Sequence, residues 1–587
     1  MADCITDRGF ITAPIYVTDF ERCQPADRLS PDGGAHRWQT ISYEAEGFSG
    51  VMLKAGPETR APEVRYPLSV TGWHAISIGI HPTSEEGLPQ ALVKLSGDNT
   101  YSVLTWDTGG HHLRRKQLQE IFWKVADLNG QAVDFCQLAR RIDPGDGFGS
   151  VQCGGVRIAY IKLVPLTPTE VEALHTEQQE GAHRHLFAHN DSHGPHFLYR
   201  PTSAEELRRE VEPYRDTDFS RMYWESGSGD VLHYPTKIGR TPDIPDITEF
   251  ARVGDRLVAE SWRSYLKAGL DPFAIALEHT HAIGLEFHAA YRLAGWTYPP
   301  PLDHNFRGGY YQNHPELHCI DRDGKHLPRL SYAFRETQAY CLALLREMAQ
   351  YPIDGICLLF NRRPPYIAYE TPLLEAFAAA HGSDPRELVD TDPTWLEFCG
   401  GVMTDFMRRV REEMDAISRE QGRGRRIEVS ACVLGLEEEN RYFSLDVATW
   451  AREGLIDVLI PYSPAPLAMP TEEDIWSHPS QLEPFTRATQ GTSCVLAPNI
   501  MPRHQSPEDF RRNAYMLYGA GADRLFFWDC AGPGGRANYQ PMWNALRRLG
   551  HREEIAEWVQ AGEPALGDWT KPLLALGDWD MTVIAPG

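Results

Sequence analysis

The chain has 587 residues, and its 81 acidic side chains outnumber its 57 basic ones, which gives a formal net charge of −24 at pH 7. Single hydrophobic cores stop growing at about 250–300 residues, so the length predicts two or three domains. The negative charge disfavours binding to nucleic acid and to anionic membrane surfaces. It therefore favours a small neutral or cationic ligand.

The amino terminus shows no basic segment followed by an apolar core of about 7–15 residues, and no stretch approaches about 18 uninterrupted apolar residues. The 11 cysteines are odd in number and show no C-x-x-C spacing. Several lie in apolar runs, among them Cys357, Cys432 and Cys494, which is typical of reduced, buried thiols. We expect a cytoplasmic protein without a cofactor.

Residues 1–165 contain short β-type runs separated by turn residues, including HAISIGIHP, ALVKLSG and VRIAYIKLVPL. This spacing, with few amphipathic helices, predicts an antiparallel β-sandwich domain. Residues 166–184 form a polar connector with helical tendency.

From residue 185 to residue 550, apolar strand candidates alternate with long helical segments, which is typical of a parallel sheet wrapped by helices. The overall prediction is an α/β chain with a (β/α)8 TIM barrel after the sandwich, and with residues 551–587 as a tail that packs on either domain. The eight predicted strands are RHLFAHND, SRMYWES, LEFHAAYR, GICLLFN, IEVSACVLG, DVLIPYS, SCVLAPNI and RLFFWDC.

About ninety residues carry a resemblance to a known family. They are Asp271-Pro272, Ala274, Ala276, Glu278, His281, Gly284-Leu285-Glu286, His288-Ala289 and Tyr291, then His314-Pro315-Glu316, Asp321 and Asp323-Gly324-Lys325, then Tyr351 and Asp354-Gly355-Ile356. This pattern resembles a bacterial glycosyl-hydrolase-like family that is distantly related to family 10 glycoside hydrolases. The resemblance implies a glycosidase-like TIM barrel and does not cover the sandwich.

The chain departs from that family where the catalytic acids are expected. The family's strand four runs into paired aspartates, whereas this chain continues into Asn361 and Arg362. Strand seven, whose end holds the nucleophile in the larger barrel clan, reads VLAPNIMPRH and carries no carboxylate. An acid pair would therefore come from other strand ends.

Four carboxylates are candidates for that pair. Glu225 ends strand two before a flexible SGSGD loop, and Glu286 shares one face of strand three with His288 and Arg292. Glu370 lies between Tyr369 and a proline on the loop after strand four, and Asp529 follows strand eight. For each residue a structural role competes with the catalytic one: a buried carboxylate, a solvated loop residue or a helix cap.

Polar and aromatic residues near the strand ends are candidates for substrate contacts, because sugars stack on aromatic rings and hydrogen-bond through their hydroxyls. They are His189, Asn190, Asp191, Trp224, His288, Tyr291, Arg292, Asn361, Arg362, Tyr462, Asn499 and Trp528.

Three functions follow from these residues. The preferred one is a glycoside hydrolase that acts on a small glycoside or oligosaccharide through a carboxylate pair. A metal-dependent sugar lyase or isomerase would use the strand-one cluster HNDSHGPH, although no metal site is assigned there. A non-catalytic carbohydrate-binding barrel would account for the missing acids. The expected partner is a carbohydrate, not nucleic acid or a membrane, and a homo-oligomer is compatible with the sequence.

Overall fold

A computed structural model describes residues 13–56, 59–81, 88–105, 117–138, 153–245, 247, 249–250, 252–298, 309–462, 478–500, 505–528, 530, 542–566 and 570–577. It is a mixed α/β structure.

The strands, in chain order, are β1 (Ile15–Val17), β2 (Leu29–Ser30), β3 (Trp38–Ala45), β4 (Phe48–Ala55), β5 (Val64–Pro67), β6 (Trp73–Ile80), β7 (Leu88–Leu95), β8 (Ser102–Thr105), β9 (Gln117–Asp127), β10 (Ala132–Gln137), β11 (Cys153–Gly154), β12 (Val156–Pro165), β13 (Leu186–Asn190), β14 (Phe219–Ser228), β15 (Val231–Leu232), β16 (Glu286–Arg292), β17 (His318–Ile320), β18 (His326–Leu330), β19 (Gly355–Leu359), β20 (Glu428–Leu434), β21 (Val458–Tyr462), β22 (Val495–Leu496), β23 (Asn499–Ile500), β24 (Leu525–Phe527) and β25 (Thr570–Leu576).

The α-helices are α1 (Pro168–Glu180), α2 (Gly194–Leu198), α3 (Ala204–Arg208), α4 (Val253–Ala268), α5 (Pro272–Ala282), α6 (Gly309–Asn313), α7 (Arg335–Met348), α8 (Thr371–His381), α9 (Pro393–Glu420), α10 (Glu437–Tyr442), α11 (Val447–Arg452), α12 (Glu483–Thr489), α13 (Pro507–Gly519), α14 (Met542–Leu546) and α15 (Arg552–Gln560). Among the described residues, no helix is both long and apolar enough to cross a membrane.

Two mostly antiparallel sheets are formed mainly by strands that precede the connector helix α1. One contains β1, β2, β3, β4, β6, β9, β12 and β25, and the other contains β5, β7, β8, β10 and β11. Both contribute to one apolar cluster, with Leu53 and Ile76 from the first sheet and Val93 and Phe135 from the second. The two sheets therefore bury a common core.

The last described strand returns to the beginning of the chain. β25 pairs antiparallel with β9 through Thr570–Pro572 and with β3 through Leu573–Leu576. The amino-terminal sheet thus includes residues from the carboxyl-terminal segment, and the connector is not the only link between the two parts of the molecule.

A parallel sheet follows, with strands paired in the order β22, β21, β20, β19, β16, β14, β13, β24 and β23. Each of the eight predicted strand segments contains a strand of this sheet. The seventh segment is split into β22 and β23 at Ala497 and Pro498, and Pro498 has no N–H to donate to a neighbouring strand.

The two faces of this sheet bury different sets of side chains. One face packs against the helices in the largest apolar cluster, with residues such as Leu186, Met222, Phe287 and Ile356. The alternate residues form a separate cluster on the other face, which includes Phe187, Tyr223, Ala290, Cys357, Cys432, Ile460 and Phe526. Because the strands run parallel, their carboxyl ends lie at one edge of the sheet.

Local sequence features determine where α5 begins and how the chain turns from α5 into β16. The Asp271 carboxylate accepts hydrogen bonds from the backbone N–H groups of Phe273 and Ala274 at 3.0 and 3.1 Å, and Pro272 occupies the first turn of α5. The turn between α5 and β16 places Gly284 at φ +80°, a conformation that glycine adopts without strain.

Candidate functional site

Glu225 lies near the carboxyl end of β14, on the face opposite the helices, and is 3% exposed. Its Oε2 is 2.7 Å from Nη2 of Arg292 on the neighbouring strand β16 and 3.8 Å from Nε2 of His189 on β13. The strand pairing shifts register between Glu225 and Gly227. Three neighbouring strands therefore direct an acid, a cation and an imidazole to one point.

Burial raises the pKa of Glu225 to about 7, and the negative charge of Asp191 acts in the same direction. The positive charges of Arg292 and Arg362 oppose this shift without offsetting it. Burial and the Arg292 charge lower the pKa of His189 to about 3. Near neutral pH, Glu225 can therefore hold or release a proton beside a neutral imidazole.

An aromatic wall continues from His189 around the same edge. The His189 ring stacks on Trp528, with centroids 3.9 Å apart and planes 12° apart. Trp528 meets Tyr462, from the end of β21, edge to face at 5.0 Å. The backbone N–H of Trp528 donates to Oδ1 of Asn499 at 3.0 Å, so Asn499 holds the backbone at Trp528.

The loop after β19 adds a cation and an amide. The Arg362 guanidinium carbon lies 5.0 Å from the Trp528 ring centroid and 5.5 Å from that of Tyr462. Asn361 is buried, and among the described residues neither of its amide atoms has a hydrogen-bond partner. We call the group Glu225, Arg292, His189, Trp528, Tyr462, Asn361 and Arg362 the edge site.

The turn after β13 lies beside this site. Oδ1 of Asn190 accepts a hydrogen bond from the Ser192 N–H at 2.8 Å, and Oδ1 of Asp191 accepts from the N–H groups of His193 and Gly194. Ser192 adopts φ +50°, and its hydroxyl donates to the backbone carbonyl of Glu225. Asn190 and Asp191 thus shape the turn that holds the Glu225 backbone.

His196 of the strand-one cluster and His233, which follows β15, are neighbours, with ring centroids 6.4 Å apart. His196 Nδ1 lies 3.1 Å from the Tyr265 hydroxyl, and His233 Nδ1 lies 2.6 Å from Ser192 Oγ. Burial lowers the pKa of His196 to about 3 and that of His233 to about 4. In the described part of the chain, no group of three or more His, Cys, Asp or Glu side chains is arranged to hold a metal ion.

Glu286 is at the opposite edge of the sheet. It begins β16, pairs in register with Arg221, and its Oε2 is 2.7 Å from the Arg221 Nε. Arg425 also binds it. Although burial acts in the other direction, His288 and Arg221 hold the pKa of Glu286 below its usual range. The shared strand face was predicted, but Glu286 occupies the amino end of that face, and this placement does not support a catalytic role.

Glu370 is fully buried and holds a loop in place. Its carboxylate accepts hydrogen bonds from the backbone N–H groups of Ile320 and Ala368 at 3.1 and 3.0 Å. Burial raises its pKa, as the sequence indicated. These contacts tie β17 to the start of α8, so the structural role is the better supported one. Asp529 lies outside the described residues.

Three predicted ligand contacts lie away from the edge site. Trp224 and Tyr291 are buried in the cluster between the sheet and the helices, and the Tyr291 hydroxyl donates to the Gly229 carbonyl at 2.8 Å. His288 is on the inward face of the sheet, two inward positions before Arg292 on β16, with its ring 4.9 Å from that of Tyr223. Strand alternation explains the first two placements, because each directly precedes a site residue and so points to the other face.

The sequence interpretation missed three residues beside the site. Tyr298 accepts a hydrogen bond from Nη1 of Arg292 at 3.5 Å, and the Arg363 guanidinium lies 4.0 Å from the Tyr298 ring centroid. Arg329 donates from Nε to the Arg363 carbonyl at 2.6 Å. Only the aromatic segment AYRLAGWTYPPP indicated this region in the sequence, and nothing there indicated a role for Arg329.

No family model and no curated protein matches this chain. Solved structures that it resembles include the glycoside hydrolase domain of PgaB (BpsB) from Bordetella bronchiseptica, at 14% identity over 62% of this chain and 98% of that chain, with a TM-score of 0.43. The catalytic domain of β-amylase from Paenibacillus polymyxa matches at 10% identity over 62% and 98%, with a TM-score of 0.42. The endo-β-1,4-mannanase from Thermotoga petrophila matches at 12% identity over 66% and 78%, with a TM-score of 0.38. These neighbours are glycoside hydrolases at low sequence identity, and the narrower resemblance to a family related to family 10 stays a prediction.

Proposed function

We propose that this chain is a glycoside hydrolase whose parallel strands close into a (β/α)8 barrel, with the edge site at its carboxyl-terminal mouth and a β-sandwich beside it. The barrel is supported by the pairing of β24 with β13 on one side and with β23 on the other, and by that of β21 with β22. The sandwich is supported by the core that the two antiparallel sheets share.

One observation carries the proposed activity: Glu225 is a buried carboxyl group whose pKa is raised to about 7, beside aromatic rings and a cation at the carboxyl-terminal edge. Glycoside cleavage requires a group that is protonated near neutral pH and can protonate the leaving oxygen. Glu225 takes this role. After it gives up its proton, the positive charge of Arg292 stabilises the Glu225 carboxylate. Trp528 and Tyr462 present ring surfaces to the sugar.

Asp191 is the second carboxylate that we assign. It follows β13, next to β14 in the sheet, and its charge raises the pKa of Glu225. The hydrogen bonds from His193 and Gly194 orient it. It acts either as nucleophile or as base for water, depending on whether the carboxyl groups stand at ~5 Å or at ~6.5–9.5 Å.

A carbohydrate-binding protein without catalysis is the second candidate. It is favoured by the amides of Asn361 and Asn499, which follow β19 and begin β23, at the strand ends where the larger clan carries its acids. Among the described residues, the Asn499 side-chain nitrogen and both Asn361 amide atoms have no hydrogen-bond partner. Such amides can hydrogen-bond sugar hydroxyls whether or not the protein cleaves the glycan.

The hydrolase and the binding protein are distinguished by whether the protein cleaves a glycan. Purified protein is incubated with a panel of aryl glycosides and oligosaccharides, and released sugar is quantified for the wild type, Glu225→Gln and Asp191→Asn. We expect each variant to lower kcat by about 10²–10⁴-fold. Glu286→Gln, at the other edge of the sheet, is the matched control and should retain turnover. Binding of glycans without any hydrolysis by the wild type would exclude the hydrolase and leave the binding protein.

A further inference from the structure

Arginines at the two edges of the parallel sheet differ in what their guanidinium groups contact. At the amino edge of the parallel sheet, Arg221 lies 2.7 Å from Glu286 and 2.6 Å from Glu428, and Arg425 binds Glu286 and Asp354. Both of these cations are neutralised by carboxylates of the chain itself. This is the usual state of a buried cation that serves structure.

The carboxyl edge is different. Arg362 contacts Trp528 and Tyr462, with Nη2 3.4 Å from the Tyr462 hydroxyl, and Arg363 lies over Tyr298. In the described part of the chain, no carboxylate lies within ion-pairing distance of Arg362 or Arg363. Both contact aromatic surfaces and a hydroxyl instead of an anion.

Arg329 extends this excess of positive charge. Its Nε and Nη1 donate to the carbonyl groups of Arg363 and Pro328, both at 2.6 Å. Burial and the Arg363 charge lower its pKa to about 10, and burial together with the Arg292 charge lowers the pKa of Arg363. These arginines therefore disfavour one another's charge, and an anion placed between them would relieve the repulsion.

Arg292 already has a partner within the chain, because its Nη2 lies 2.7 Å from Oε2 of Glu225. Arg362, Arg363 and Arg329 remain as three cations around the site of a chain whose net charge is −24. The Arg362 Nε is buried and has no hydrogen-bond partner among the described residues. A guanidinium that contacts two rings and has an unused N–H is suited to a carboxylate, which it can bind through two parallel hydrogen bonds.

We propose that the edge site binds a glycan through a sugar that carries a carboxylate, of the hexuronic acid type, with Arg362 and Arg363 as the residues that hold that group. This inference rests on the proposed function for placing a glycan at the site, and it names the class of that glycan. It also reverses the expectation from the net charge, which favoured a neutral or cationic ligand.

The test is a binding titration of the full chain with matched pairs of ligands. Hexuronate oligosaccharides are compared by calorimetry with the same oligosaccharides after reduction of each carboxylate to a hydroxymethyl group, and with sulfated neutral oligosaccharides. We expect the uronates to bind about 10- to 100-fold more tightly than their reduced counterparts. Equal binding of the pair, or tighter binding of the sulfated ligands, would overturn the proposal.

Variants then locate the effect. Arg362→Met keeps the packing between the rings and should abolish the preference for uronates, whereas Arg362→Lys keeps the charge and should retain part of it. Arg487→Gln, on an exposed helix surface, removes the same unit of charge elsewhere and should leave the preference unchanged. A preference that survives in folded Arg362→Met and Arg363→Met would refute the assignment of these two residues.

Failure of the carboxylate-site proposal can be told apart from failure of the proposed hydrolase function. A preference for uronates with no hydrolysis of any glycan would contradict the hydrolase and support the carboxylate site. Hydrolysis of neutral glycans without a preference for uronates would support the hydrolase and contradict the carboxylate site.

Discussion

Replacement of Glu225 by glutamine tests the central feature of the site through stability, without a substrate. The pKa of Glu225 is about 7 in the folded protein, against an ordinary value of 4.5. At about 1.4 kcal/mol per pKa unit, this difference corresponds to roughly 3 kcal/mol. The folded state binds the proton more tightly than the unfolded state, so this contribution is fully present below about pH 4.5 and is lost as the pH rises through about 7.

Glutamine cannot ionise, so it lacks this dependence. We expect the free energy of unfolding of the wild type, minus that of Glu225→Gln, to fall by about 3 kcal/mol between pH 4 and pH 8. Guanidinium chloride unfolding followed by tryptophan fluorescence gives this difference at each pH. Glu375→Gln on the exposed side of α8 is the control and should change the free energy by no more than about 0.5 kcal/mol. A Glu225 difference that stays constant with pH would show that burial does not raise its pKa.

Glu370→Ala should lower the free energy of unfolding by about 2–4 kcal/mol and leave kcat unchanged, because two backbone N–H groups lose their buried acceptor; a loss of kcat alone would contradict its structural role. Gly355→Ala should cost about 1–3 kcal/mol, since a methyl group there overlaps the His288 ring, whereas Gly401→Ala on the exposed side of α9 should be neutral or stabilising. Carboxylates raise the pKa of His551, although burial acts in the other direction. The substitution His551→Gln should therefore lower the free energy of unfolding by about 2 kcal/mol at pH 6 and by less at pH 9. A loss of stability that grows with pH would refute this pKa shift.

The sequence located the strands of the parallel sheet but not all of their functional ends. Glu225 and Glu286 both lie on inward-facing positions, and alternation along the strand treats them alike. The two residues lie at opposite edges of the sheet because β16 begins at Glu286, in register with Arg221, whereas Glu225 lies near the end of β14. The position of a residue along its strand depends on register with the neighbouring strand, which the sequence pattern does not encode.

The same reasoning explains the other differences. Arg363 and Arg329 surround the site only because a loop and the β17–β18 hairpin fold over the same edge, and β25 reaches the first sheet although about 520 residues separate it from β3 in the chain. Such contacts join segments far apart in sequence, so no local pattern marks them.

The sequence by itself determined the alternation of strands and helices, the eight strand segments and all seven residues of the edge site: His189, Glu225, Arg292, Asn361, Arg362, Tyr462 and Trp528. These follow from hydrophobic periodicity and from the polar or aromatic groups at strand ends, which are local properties. Only the tertiary structure decided that Glu225 is buried, that Glu286 and Glu370 make structural contacts, and that arginines without an ion pair among the described residues gather beside Glu225. Burial and charge pairing depend on which strands become neighbours, and they set the pKa of Glu225 and the charge around it.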